Sequence, residues 1–165
     1  MMTRGVRTTP RSFYDKFVLP NLEDYLADPH DIRRGFNASV SAFQLADVMF
    51  NFYSRNDGSK ISNWEDQSDF LKYLSRREPS FQTIQSVATV YKHLYLANRQ
   101  SFHEVGSPAD LWSIGVLEGD ELSRDHSHPD VLVRRFDGTS VSLKNALESV
   151  VLRLWPDVLP QEGGI

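Results

Sequence analysis

Residues 28–53 read DPHDIRRGFNASVSAFQLADVMFNFY, and the fold turns on how this stretch is understood. Asp28 fits an N-cap, Pro29 fits the first helical position, and Asp31 follows three residues after the cap. This makes a well-formed helix start, because a capping oxygen satisfies orphan N–H groups and proline has none to lose. Only Gly35 interrupts the pattern before Ser54-Arg55-Asn56-Asp57-Gly58 ends it. A helix of about 25 residues is roughly 37 Å long, enough to cross a small domain.

The side chains fall on three sectors when placed about 100° apart. Ile32, Phe36, Phe43 and Phe50 share one edge, and Ala38, Ala42, Ala46, Met49 and Tyr53 share another. Two apolar edges require two sets of neighbours, so the helix is expected in the middle of the fold. The remaining sector holds His30, Arg33, Asn37, Ser41, Gln44, Asp47 and Asn51, interrupted by Val40 and Val48. Small amides and hydroxyls among valines differ from the lysine and glutamate of a solvated face. Three readings follow: a hydrogen-bonded seam sealed between helices, a binding or catalytic stripe, or plain exposure to water. Asn37, Ser41, Gln44, Asp47 and Asn51 are the binding candidates on that stripe.

A chain of 165 residues is long enough to bury a core, and aromatics at 12% argue against disorder. One globular domain over residues 12–160 is expected, preceded by a flexible basic tail at 1–11 that carries Arg4, Arg7 and Arg11. The absence of cysteine excludes disulfides, thiolate metal sites and a cysteine nucleophile. A net charge of −4 argues against nucleic-acid binding through a broad basic field. Nothing reads as a membrane span or an apolar leader, which makes cytoplasmic residence the expectation.

Around the long helix the order is mostly helical. Ser12 and Asp15 form a cap pair for a helix starting at Phe13, with a kink expected at Leu19-Pro20. Ser62 and Glu65 make a second capping box before Phe70, Leu71, Tyr73 and Leu74. Ser80 caps a fourth helix reaching residue 97. Residues 112–142 form a small β element: Trp112–Leu117 reads as a strand, and Asp137-Gly138 between Val131–Phe136 and Thr139–Val141 reads as a two-residue hairpin turn. Ser142 caps a last helix over 143–155. The fold class is α+β, mostly α: a four-helix bundle-like core around one central helix, with an antiparallel hairpin and a C-terminal helix.

Catalytic chemistry is sparse. His126 and His128, flanked by Asp125 and Asp130, have imidazole and carboxylate groups suited to a divalent metal, but the segment reads as a polar loop. Lys92, a further binding candidate, and His93 fall near a helix C-terminus, where a polar or cationic group interacts favourably with the dipole. Alternatively, His93 meets Asp47 or Gln44, an arrangement that tunes imidazole for acid–base work. Arg99 and His103 have only three residues between them, short of the spacing in helical ribonucleases of the HEPN class. No glycine-rich phosphate loop, H-E-x-x-H or G-x-S-x-G occurs.

The run Phe36-Asn37-Ala38-Ser39-Val40-Ser41-Ala42-Phe43-Gln44-Leu45-Ala46-Asp47, with Tyr91-Lys92-His93 downstream and an Asp-Gly hairpin before the last helix, resembles a family of small, functionally uncharacterised bacterial proteins. The resemblance covers about residues 12–155. It implies a compact helical domain with a small C-terminal β element and brings no activity with it.

The residues therefore favour a non-enzymatic binding or protein-interaction domain that needs no cofactor. Its partner is a protein or a small molecule, and self-association stays open. A hydrolase or RNA-cleaving enzyme using His93 with Asp47 and Gln44 is one alternative, and a small-ligand-binding helical domain is the other.

Overall fold

Among the described residues, most elements pack against one helix. The computed structural model describes residues 8–90, 111–113, 130–135 and 138–162. In chain order these form α1 (Pro10–Phe13), a π-helical segment (Tyr14–Val18), α2 (Leu19–Ala27), α3 (Ile32–Asn56), α4 (Gln67–Arg77) and α5 (Ser80–Val90). Strands β1 (Leu111–Ser113), β2 (Val131–Arg134) and β3 (Ser140–Ser142) follow, then α6 (Leu143–Glu148), a second π-helical segment (Ser149–Leu154) and α7 (Trp155–Val158). The architecture is α+β and mostly α. Helix α3 touches α1, α2, α4, α5, α6 and β1.

Both apolar edges of α3 find neighbours. Phe43 meets Phe81 of α5 and Phe50 meets Phe70 of α4, with ring centroids 6.0 and 6.1 Å apart. On the other edge Ala38, Ala42, Leu45, Ala46 and Met49 are buried, and the indole N–H of Trp155 donates to the Ala42 carbonyl at 3.0 Å. Gly35 does not break the helix. A Cβ at this position would lie 2.8 Å from Leu143 Cδ2 and 3.1 Å from Tyr25 Cε2, so its absence lets three elements close up.

Several helix starts differ from the sequence reading, each for a local or tertiary reason. α3 begins at Ile32 rather than Pro29, because Asp31 accepts the N–H groups of Arg33 and Arg34 at 2.9 and 3.2 Å. The carbonyl of Pro29 is instead taken by the N–H of Val131 in β2, at 3.0 Å. The first helix begins at Pro10, with Thr9 and Ser12 exchanging side-chain and backbone bonds in a capping box. α4 is capped by Asp66, which accepts the Asp69 N–H at 2.8 Å. Ser62 donates to the Ser59 carbonyl, because Asp57 starts a 3₁₀ turn over Gly58–Lys60 that governs the local path.

The strands form an antiparallel sheet in the order β1-β2-β3, with Trp112 opposite Leu132 and Val133 opposite Val141. The turn between β2 and β3 is one residue longer than expected. Arg135 N–H donates to Thr139 O and Gly138 N–H to Arg135 O, so three residues lie between the paired positions. Gly138 has φ +85°, a left-handed conformation that glycine adopts without strain.

One buried carboxylate fastens the sheet to the helices. Asp130 accepts the Tyr25 hydroxyl at 2.7 Å, the Ser142 hydroxyl, and the Lys144 N–H at 3.3 Å. Ser142 in turn caps α6 by accepting the Asn145 N–H. Asp130 thus sits at a helix N-terminus, where negative charge is stabilised. Among the described residues, no helix is long and apolar enough to cross a membrane.

Candidate functional site

The first helix would ordinarily bend at Pro20, which has no N–H and whose ring crowds the preceding turn. Here the turn widens instead. The Leu19 N–H reaches back to Tyr14 O in π-helical register, and the helix runs on through α2. This keeps Phe13 and Phe17 side by side, with ring centroids 5.1 Å apart, facing α3. Phe17 is 50% exposed although it is fully apolar.

Between this helix and α3 lies an open groove of about 320 Å³. Phe13, Phe17 and Asn21 form one wall. Phe36, Asn37, Val40, Ser41 and Gln44 form the other, at positions that repeat along one side of α3. No ionisable side chain lines it. Its polar groups are three amides and a hydroxyl, which suits a neutral partner offering both apolar surface and hydrogen-bonding groups.

The polar stripe is therefore not a sealed seam. Asn37, Gln44 and Asn51 are exposed, because α1–α2 packs on one flank of α3 and α4 on the other, leaving that line open. Its members separate into two groups. Asn37, Ser41 and Gln44 belong to the groove, with the buried Ser41 hydroxyl bonded to its own helix at Ala38 O. Asp47 turns towards α4 and accepts from the Gln67 amide, while Asn51 donates to Asp47 O at 2.9 Å. Asp47 and Asn51 are not among the groove's lining residues.

Lys92, His93, Arg99, His103, His126 and His128 lie outside the described residues. The carboxylate of Asp130, counted beside the two histidines as a metal ligand, is committed to Tyr25, Ser142 and the Lys144 N–H. Among the described residues there is no cluster of three or more histidine or acidic side chains able to hold a metal ion.

The sequence reading named none of Phe13, Phe17, Asn21, Phe36 and Val40 as candidates for this groove. Phe13 and Phe17 repeat at i, i+4, but nothing local says that such a pair lines a groove rather than the core. The available signal was the pairing of two i, i+4 apolar pairs, Phe13–Phe17 and Phe36–Val40, on helices joined by a tight corner. No family model matches the chain, and no curated protein and no solved structure matches it.

Proposed function

We propose that the chain is a non-enzymatic binding domain that docks an extended segment of a partner protein in the groove between its first helix and α3. The observation that carries this reading is Phe17, half in water beside Phe13 and lining the same groove as the amides of Asn37 and Gln44. Exposed aromatic surface rimmed by polar groups is a usual mark of an interaction site. A peptide supplies what such a lining matches: an apolar side chain for the phenylalanines, and N–H and C=O groups for the amides.

The test is photo-crosslinking from a benzophenone amino acid placed at position 17. The expected result is a discrete protein adduct that Val40→Asp abolishes. An adduct pattern identical to that from exposed Asn51, or one indifferent to Val40→Asp, refutes the reading. Phe17→Ala should change stability by no more than about 0.5 kcal/mol, as for an ordinary surface position. A core truncation such as Phe81→Ala should cost about 3–5 kcal/mol.

A second reading rests on size. The volume of about 320 Å³ reaches the lower end of small-molecule sites, at roughly 300 Å³. That reading predicts saturable amide shifts at Asn37, Ser41 and Gln44 on titration with a small aromatic amide such as benzamide.

A further inference from the structure

The groove between the first helix and α3 has one property that a foreign partner does not require. Its lining is neutral throughout, and every polar group in it both donates and accepts: the amides of Asn21, Asn37 and Gln44 and the hydroxyl of Ser41. Groups of this kind are complementary to themselves. A two-fold interface sets one patch of surface against the same patch of another copy. A charged lining would bring like charges together there, and this lining brings none. Two copies, each with a net charge of −4, repel one another overall, so an uncharged patch is where they approach at least cost.

The aromatic wall has the same self-matching form. Phe13, Phe17 and Asn21 repeat at i, i+4 and i+8, which makes one ridge with Phe17 at its centre. Phe17 is half exposed, with the Phe13 ring 5.1 Å away. Laid antiparallel on a second copy, the ridge sets Phe17 against Phe17 of that copy and Phe13 against its Asn21. The two Phe17 rings then meet at the axis and shield each other from water. We propose that the groove closes on a second copy of this chain, in a two-fold dimer centred on Phe17. This rests on the reading of the groove as a docking surface and adds its regulation. A partner segment and the second copy compete for one lining, so the groove is covered when no partner is bound.

The test is sedimentation equilibrium of the purified full chain over a series of concentrations. A monomer–dimer equilibrium is expected. Phe17→Asp, at an exposed position that the fold tolerates, should weaken it by about tenfold or more, because it places a carboxylate on the axis. Asn63→Asp adds the same charge at an exposed site outside the groove and should leave the dimer intact. In parallel, the benzophenone variant at position 17 is irradiated without any other protein. An adduct of twice the chain mass is expected, mapping to residues 13–21 or 36–44 of the second copy. A monomer at every concentration, a dimer indifferent to Phe17→Asp, or an adduct that maps elsewhere each overturn the proposal. A monomer that still gives the adduct with a foreign protein sinks the dimer alone and leaves the docking reading standing. A groove-centred dimer with no foreign adduct supports the dimer and removes the foreign partner.

Discussion

Gly35 lies where α3, Tyr25 and Leu143 come closest, and two opposing effects meet there. Alanine is a better helix former than glycine by about 1 kcal/mol. Its methyl would lie 2.8 Å from Leu143 Cδ2, and overpacking a filled site typically costs about 1–3 kcal/mol. The second effect should win, because the ring at 3.1 Å belongs to Tyr25, whose hydroxyl is held by Asp130. Gly35→Ala is therefore expected to destabilise by about 1–2 kcal/mol in urea unfolding, and a more stable variant would refute the close approach. The sequence shows the glycine but not its reason, which lies in residues far along the chain. The same limit applies at Asp28 and Asp31: both can cap, and the choice falls to Asp31 while Val131 takes the Pro29 carbonyl. Asn37, Ser41 and Gln44, which line the groove, stand out locally as amides and a hydroxyl between valines. Asp47 sits on the same stripe, and only the position of Gln67 shows that it faces α4.

Among elements, the two π-helical segments solve one problem at opposite ends of the chain. Each ends just before a proline, Pro20 or Pro156, and each widens the helix instead of breaking it. In the second, the Trp155 N–H goes to Val150 O, so the next carbonyl in π register, that of Val151, faces a proline with no N–H to offer. The Tyr14 hydroxyl fills that position at 2.7 Å. Tyr14→Phe should consequently cost about 1–3 kcal/mol, the penalty of an orphaned buried carbonyl. In a Pro156→Ala background, which restores a local N–H, the same change should cost measurably less. A double-mutant cycle with additive effects would show that the proline and the tyrosine do not serve the same carbonyl. Sequence reasoning marks a proline in a helical pattern as a kink, because it counts the lost bond. It cannot see a phenol arriving from the other end of the chain. The long helix itself was legible, since its two apolar edges repeat over many turns.

For the whole molecule, buried phenols contribute to the response to alkali. Burial is the main cause that pushes the Tyr25 phenol well above its ordinary 10.0, and the neighbouring Asp130 carboxylate adds to it. Tyr14 and Tyr53 are also raised, chiefly by burial. The folded state thus holds these protons more tightly than the unfolded chain does. Their contribution is complete below about pH 10 and is lost as pH rises beyond it. Urea midpoints should fall steeply above about pH 10, with Tyr25→Phe flattening that fall. An equally steep fall in Tyr25→Phe would remove Tyr25 as a source.

Trp155 lies 113 residues after the carbonyl it caps at Ala42, and the phenol of Tyr14 reaches 137 residues along the chain to Val151. During synthesis at about 5–20 residues per second, α3 leaves the ribosome many seconds before the side chains that cover it. Until then α3 lacks the cover that Trp155 gives it in the folded chain, and apolar surface left open in this way is what chaperones bind. A premature stop codon upstream of Trp155 should therefore yield a protease target and not a smaller working domain.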